Sequence, residues 1–384
     1  MNEYILQTYK KYGVTFVKGV GSKLWDNNGK EYIDFASGIG VVSIGHSHPS
    51  WVEALNIQGS QLSHTSNLFY TLPGQKLAEK LCNITNMEAA FFANSGAEAN
   101  EGLIKLARKY SSDKYGKGRH TIVTLIDSFH GRTMGSLSAT GQEKFHKHFD
   151  PFTPGFIHIK ANDLQELNSL KDRTDICAFL IEPIQGEGGV NPLDYDYVRE
   201  IANFCNKNDI LLFVDEVQTG SGRCGKWFCY EYFDILPDAI SFAKGVGGGI
   251  PIGGFLVNNK LKNILSYGDH GTTFGGNPLC CSVALATLGE IENILPNVNE
   301  KGEYIKSKIE KMNLKNVINI RGKGLMIGVK VDLPTTELNE KFLENGLVLL
   351  TAGKDVIRFL PALNIGYEEI NIGLEIFEKV MRKV

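Results

Sequence analysis

Between Trp51 and Val257 the chain alternates short, continuous apolar runs with helix-length segments. The runs are Ala90–Ala93, Ile122–Ile126, Ile176–Ile181, Ile210–Val214, Ile240–Ala243 and Gly254–Val257. A strand with one wet face alternates polar and apolar residues, whereas one buried on both faces reads as unbroken hydrocarbon. The pattern predicts an α/β fold with a mostly parallel central sheet covered by helices on both sides. In such sheets ligands gather outside the carboxyl ends of the strands. Directly after these runs come Asn94-Ser-Gly-Ala97, Asp127-Ser-Phe-His-Gly-Arg132, Glu182-Pro-Ile-Gln-Gly-Glu187, Asp215-Glu-Val-Gln218 and Lys244. Polar and ionisable groups therefore fall together at one edge, and that edge is the candidate site.

The flanking regions read differently. The first ~50 residues suit an opening helix and a small meander, with Trp25 to Asp34 forming two short strands around an Asn-Gly turn. A glycine-punctuated apolar loop runs from Phe35 to Pro49, and its His46 and His48 lack the further ligands a metal site needs. After Pro278 a helix over about Cys280–Ile294 leads to a second α/β segment. Its strands are expected at Val317–Ile320, Leu325–Val331, Leu347–Leu350 and Ile357–Leu360. The expected division is 1–50 packing with a small domain, 51–278 as a large domain and 279–384 as the small C-terminal domain, in line with 384 residues. A net charge of −3 gives no basic footprint for nucleic acid. No apolar run approaches the ~20 residues of a membrane span, and Met1-Asn-Glu-Tyr4 has no signal-peptide character. Seven scattered cysteines without a Cys-x-x-Cys pair fit free thiols in a cytoplasmic protein.

The chemistry centres on Lys244. The run Ile240–Ala243 delivers one amine into Gly245-Val-Gly-Gly-Gly249. Burial disfavours an ammonium, and a neutral amine is what Schiff-base chemistry with an aldehyde cofactor requires. A lysine whose stem packs while its head reaches water is the plainer alternative. Ser95-Gly-Ala-Glu98 opens a helix with Ala99, Leu103, Leu106, Ala107 and Tyr110 on one face. It reads as a capping box, or as a site where Gly96 and Ala97 lend N–H groups to an anion. Asp215 ends an apolar strand and needs a cation nearby, either a protonated pyridine nitrogen or a basic side chain. Gln218 lies within reach of a phenolic oxygen on such a ring, and Phe129 could stack on its face. Arg132 and Arg358 are expected beside strand ends as forks for carboxylates, with Glu187 a candidate partner for one of them.

Seven blocks occur in order: Ser95-Gly-Ala-Glu98, Phe129-His-Gly-Arg132, Glu182-Pro-Ile-Gln-Gly-Glu-Gly-Gly189, Asp215-Glu-Val-Gln-Thr-Gly-Ser-Gly-Arg223, Ser241-Phe-Ala-Lys-Gly245, His270-Gly-Thr-Thr-Phe-Gly-Gly-Asn-Pro278 and Arg358-Phe-Leu-Pro361. Together they resemble the class III (ornithine-type) pyridoxal-phosphate aminotransferases over essentially the whole chain. Within that family the chain is most similar to the acetylornithine aminotransferases, through its compact length, Ser66-Asn-Leu-Phe-Tyr70 and Ser-Gly-Ala-Glu-Ala-Asn.

The resemblance implies a fold-type I transferase with a seven-stranded sheet, working as a homodimer on small amino and 2-oxo acids. It implies Lys244 as the residue bonded to pyridoxal 5′-phosphate, Asp215 on the ring nitrogen, and Ser95, Gly96 and Ala97 at the phosphate. Phe129 and Gln218 would contact the same cofactor. Thr273 would reach the neighbouring subunit's phosphate, with Thr272 facing substrate. Arg132 would hold the distal carboxylate of either substrate; Arg358 would hold glutamate's α-carboxylate and be neutralised by Glu187 when an ω-amine enters. The implied reaction is transfer from an ω-amino acid, N2-acetylornithine above all, to 2-oxoglutarate, a step of arginine biosynthesis. Ornithine or 4-aminobutyrate are the alternative donors. Ornithine enzymes carry a tyrosine where the register here gives Ile39, which suits an acylated amine better. Cys224 and Ala362 depart from the family's usual threonine and proline. A nucleotide-binding oxidoreductase is the rival class, but it needs a Gly-x-Gly-x-x-Gly after the first strand and an acid about twenty residues on, a pair the chain lacks.

Overall fold

The computed structural model describes residues 4–384. An N-terminal antiparallel meander consists of β1 (Phe16–Val20), β2 (Lys23–Asp26) and β3 (Glu31–Asp34). Its second turn forms where Asn-Gly predicted it: the Asp26 carboxylate accepts the Asn28 and Lys30 N–H groups, and Gly29 supplies a φ of +81°. The opening helix does not form among the described residues. Residues 4–15 are irregular, and Tyr4, Leu6 and Tyr9 lie exposed with no core beneath them. So short a helix has little stability without a packed face.

The chain then lays down β4 (Ala89–Ala93), β5 (Thr121–Leu125), β6 (Phe156–Ile159) and β7 (Ile176–Ile181), a two-residue pair β8 (Ile184–Gln185) and β9 (Asn191–Pro192), and β10 (Leu211–Asp215), β11 (Ala239–Phe242) and β12 (Gly253–Val257). Seven of them form one sheet in the order β4-β12-β11-β10-β7-β5-β6. Only β12 runs against its two neighbours; the other pairings are parallel. Six strands coincide with the apolar runs to within a residue. The seventh, β6, escaped the pattern because it is a half-buried edge strand interrupted by His158.

Helix Gly96–Tyr115 crosses one face of this sheet, with Leu103, Leu106, Ala107 and Tyr110 buried. Gly102 lets it approach Phe255 of β12, which is itself stacked on Phe91 at 5.2 Å. On the other side, helix Pro278–Ile294 packs against helices Pro49–Gln61 and Leu72–Thr85. The stretch Pro278–Lys311 is long and apolar enough, by length and composition alone, to cross a membrane, contrary to the reading of the sequence. Here it is broken by a 3-10 turn at Leu295–Asn297, and Val283, Ala284, Leu288 and Ile291 are buried in the protein core.

The C-terminal part adds β13 (Val317–Lys323), β14 (Met326–Val331), β15 (Leu347–Val348), β16 (Leu350–Ala352) and β17 (Val356–Phe359). The expected strand Leu347–Leu350 divides at the buried Leu349. Its first half, β15, pairs with β3 of the meander, and its second half, β16, joins the antiparallel sheet β13-β14-β17-β16. Arg358 is the penultimate residue of β17, opposite Gly328 of β14.

The Gly102–Phe255 contact yields a stability prediction. A Cβ at Gly102 would sit 2.3 Å from a ring carbon of Phe255, whose stacking leaves it no room to yield. Gly102→Val is expected to destabilise the protein by about 1–3 kcal/mol through overpacking. Gly289→Ala, at a helical position with nothing within 4 Å of the added carbon, should leave stability equal or slightly raised. Urea midpoints of the two variants and the parent check both statements.

Candidate active site

The carboxyl ends of β4, β5, β7, β10 and β11 open onto a cavity of about 450 Å³. The loops after these strands supply its walls, together with Ile250, Pro251 and Ile252 ahead of β12. Lys244 enters as the second residue after β11 with a φ of +46°, a left-handed backbone uncommon for a side chain of this kind. Its amine has no hydrogen-bond or ion-pair partner among the described residues. Burial pushes the ammonium below its ordinary pKa; Glu187 opposes this, and the Arg358 guanidinium adds to it.

Asp215, at the end of β10, is 4% exposed. One oxygen accepts Asn100 Nδ2 at 2.7 Å and contacts His130 Nδ1 at 2.8 Å; the other accepts the Val217 N–H. Among the described residues no lysine or arginine pairs with it. Asn100 belongs to helix Gly96–Tyr115, and its amide also donates to the His130 carbonyl. His130 Nε2 is buried without a partner among the described residues. Neither Asn100 nor His130 was singled out in the sequence. The signal was available: a carboxylate ending an apolar strand needs donors, and both residues lie in the blocks already quoted.

Helix Gly96–Tyr115 begins at Ser95, whose Oγ accepts the Glu98 N–H at 3.2 Å. The second half of the expected capping box shifts by one residue. Glu98 accepts the main-chain and side-chain N–H groups of Asn94 instead of the Ser95 N–H. The first N–H groups of a helix have no partner within it, so those of Gly96 and Ala97 remain available to an anion in the cavity they line. Gly96 is required for packing as well, because a Cβ there would lie 2.6 Å from Val217 Cγ1.

Opposite this helix, Arg358 is 2% exposed and its Nη1 donates to Glu187 at 2.6 Å and to Gln218 Oε1 at 3.0 Å. Gln218 also reaches Glu187 through its Nε2 at 3.4 Å, so in this structure it bridges that pair. Burial pushes the Glu187 carboxyl up, but Arg358 outweighs it and holds the group below its ordinary value. Glu182 accepts the N–H of Phe129 at 2.9 Å and that of Gly186 at 3.4 Å, tying the aromatic loop to the Glu187 loop. Burial, reinforced by Asp215, pushes this carboxyl well above its usual range. Arg132 stands at the mouth with its guanidinium 3.9 Å from the Phe145 ring centroid, next to Phe129. Thr272 and Thr273 do not join the cavity. They line a separate hollow of about 870 Å³ with Leu68 and Tyr267, although Thr272 Oγ1 accepts Asn94 Nδ2 at 3.2 Å. His46 and His48 contact Asp34 and Ser50 respectively.

Residues 4–381 match the family model of class-III aminotransferases. The chain belongs to that family. The acetylornithine aminotransferase of Haemophilus ducreyi is 47% identical over 99% of this chain and 97% of its own length. That of Methanocaldococcus jannaschii is 43% identical over 100% and 97%. Among solved structures, an ornithine aminotransferase of Toxoplasma gondii superposes with a TM-score of 0.95 at 30% identity, covering 99% of this chain and 93% of that one. The N-acetylornithine aminotransferase of Stenotrophomonas maltophilia gives 0.86 at 34%, covering 98% and 97%. A second structure of the Toxoplasma enzyme has partial occupancy of pyridoxal phosphate at its active site.

In this class-III aminotransferase the donor set fits that cofactor's three features. Free N–H groups at Gly96 and Ala97 suit a phosphate, a fixed carboxylate at Asp215 suits a ring nitrogen, and an unpartnered amine at Lys244 suits an aldehyde. The Lys244 environment predicts a pH effect. Because the folded pKa lies below the unfolded one, the unfolded chain holds more protons between the two values. The destabilisation is complete below the folded pKa and disappears as pH rises past the unfolded pKa. Cofactor-free Lys244→Met should therefore unfold at higher urea than the cofactor-free parent at pH 7, with the gap narrowing toward pH 10.

Proposed function

We propose that this aminotransferase moves an amino group from N2-acetylornithine to 2-oxoglutarate, with pyridoxal 5′-phosphate as its cofactor. The observation that carries the reading is the Arg358–Glu187 contact of 2.6 Å in reach of the Lys244 amine. An enzyme serving glutamate and an ω-amine alternately needs a cation for glutamate's α-carboxylate, and must silence that cation for the other substrate. A carboxylate resting on a buried guanidinium does so. The relatives named acetylornithine aminotransferase, at 41–47% identity over nearly the whole chain, support the donor.

Bound in the cavity, pyridoxal phosphate would supply a conjugated electron sink for breaking the C–H bond at the amino-bearing carbon. Ser95, Gly96 and Ala97 would hold its phosphate, Phe129 would face the ring, Gln218 would lie near its oxygen and Asp215 would meet its nitrogen. Lys244, its neutral form favoured by burial, takes and returns the proton. Arg132 at the mouth receives the distal carboxylate of each substrate. The reading carries a cytoplasmic location with it.

Ornithine as the donor has one observation in its favour, the TM-score of 0.95 with an ornithine aminotransferase. Against it stand the lower identity of that match, 30%, and Ile39. Two residues from the cavity-lining Val41, Ile39 offers hydrocarbon and no hydroxyl to a free α-amine.

Single-turnover half-reactions followed by cofactor absorbance test the assignment. N2-acetylornithine should convert the cofactor faster than ornithine or 4-aminobutyrate. Arg358→Ala should depress chiefly the glutamate half, and Glu187→Ala chiefly the ω-amine half. Arg132→Ala should depress both halves. Equal losses in both halves for Arg358→Ala would refute the switch.

The hollow lined by Thr272 and Thr273 supports a second copy of the chain as partner. Leu68, Tyr70, Tyr267 and Phe274 are 87%, 92%, 108% and 62% exposed, an apolar surface that a lone subunit would leave in water. In the dimer we infer, Thr273 serves the neighbour's phosphate and Thr272 its substrate. The protein should sediment as a dimer or a multiple of it, with more than ~2,000 Å² buried. Leu68→Asp with Tyr267→Asp should give inactive monomers; a monomeric parent that transaminates would rule the arrangement out.

A further inference from the structure

Arg223 ends the Asp215–Arg223 segment and is 2% exposed, yet its donors find no carboxylate among the described residues. Instead its Nη1 donates to two main-chain carbonyls, that of Leu325 at 3.1 Å and that of Pro361 at 2.5 Å. The Leu325 N–H returns a bond to the Arg223 carbonyl at 3.0 Å. The junction is tight: a Cβ on Gly324, whose φ is +52°, would lie 2.8 Å from that carbonyl oxygen. Arg223 Nη2 is buried without a partner among the described residues.

The two carbonyls are significant because of the ladder they close. Leu325 immediately precedes β14, and Pro361 is the second residue after β17. β14 and β17 are neighbours, and Arg358 sits in their ladder opposite Gly328. Because the two strands are antiparallel, the entry of one and the exit of the other lie at the same end of the ladder, so one guanidinium grips both strands there, three residues along from the Arg358–Gly328 pair. The same chain segment reaches Arg358 directly through Gln218, 3.0 Å away. It begins at Asp215, the carboxylate beside the Lys244 cavity. Burying a cation whose hydrogen bonds go to carbonyls, with the charge of Asp34 nearby but not bonded to it, is costly compared with a hydrocarbon of the same size. Such a group adds little to stability, and its value lies in the geometry it imposes.

We propose that Arg223 is a positioning residue: by clamping the Leu325 and Pro361 carbonyls it sets where Arg358, and with it the α-carboxylate site, stands relative to Lys244. This rests on the half-reaction assignment above. A planar fork on a long stem spans both acceptors, whereas lysine offers a compact, strongly hydrated point charge. Displacing a substrate-holding group by about 1 Å costs up to about a hundredfold in rate. The loss should fall on the substrate that Arg358 holds.

The test uses holoenzyme of Arg223→Gln and Arg223→Lys. Glutamate and N2-acetylornithine half-reactions are followed separately, and glutarate, a dicarboxylate with no amine to react, is titrated at equilibrium. For Arg223→Gln the glutamate KM and the glutarate Kd should each rise at least about tenfold, a loss of about 1.4 kcal/mol. The acetylornithine half and cofactor retention should change by less than about threefold, and Arg223→Lys should recover only part of the loss. In a double-variant cycle, adding Arg223→Gln to Arg358→Gln should cost the glutamate half nothing further. Equal losses in both halves, or losses that multiply in the cycle, overturn the proposal. So does failure of both Arg223 variants to yield folded holoenzyme, since Arg223 would then serve the fold itself. A parent protein inert in both half-reactions would instead count against the aminotransferase assignment, which separates the two failures.

Discussion

A carboxylate at the end of a strand made wholly of hydrocarbon is the constraint around which this site is arranged. Asp215 terminates Leu-Leu-Phe-Val, every residue of which is buried. It is tolerated there because Asn100 and His130 bring donors to the same oxygen. Those donors come from the helix after β4 and the loop after β5, so one buried charge ties together the ends of three strands, β4, β5 and β10, that are not adjacent in the sheet. The Asn100 amide, bound to both Asp215 and the His130 carbonyl, leaves that loop little freedom. Phe129 and Arg132 flank His130 in the chain, and their placement follows from it.

The charges around the cavity are arranged by the same logic of burial and pairing. Glu187 rests on Arg358, Glu182 is driven toward its neutral form by burial and by Asp215, and Lys244 is driven toward its neutral form beside them. The cavity thus concentrates titratable groups while keeping few unpaired charges. Any further carboxylate brought to Arg358 would have to compete with Glu187 for it.

Much of this was legible in the sequence, and the reasons are physical. Strands buried on two faces leave unbroken apolar runs, so six strands of the large sheet and the edge where polar residues gather followed directly. β6 was not among them, since an edge strand needs no such run. The helix expected before β1 was misread because an apolar, aromatic sequence has helical meaning only if something covers it; Tyr4, Leu6 and Tyr9 face solvent here. The split of Leu347–Leu350 between two sheets lies beyond periodicity, since partner choice is a tertiary matter. The Asn100–His130–Asp215 cluster joins residues 115 and 85 positions apart, a distance that no local pattern spans. The pairing of Glu187 with Arg358 leaves Arg132 at the mouth against Phe145, a difference of environment that residue type alone cannot express.

The reversed strand β12 has a consequence for how Lys244 can move. A parallel successor to β11 would have required a crossover through a helix, and the lysine would have sat on a long excursion anchored at distant points. Because β12 runs antiparallel, the chain goes out through residues 243–252 and returns to the strand next door, with Phe242 paired to Gly254. The loop bearing the amine is thus a closed arch with both feet in the middle of the sheet. Ser43 further fastens its crown through the Gly245 carbonyl at 2.7 Å. Anchored at both feet and at its crown, such an arch has little freedom to hinge. The reach of the amine is that of its own four methylene torsions, swinging from a fixed pivot.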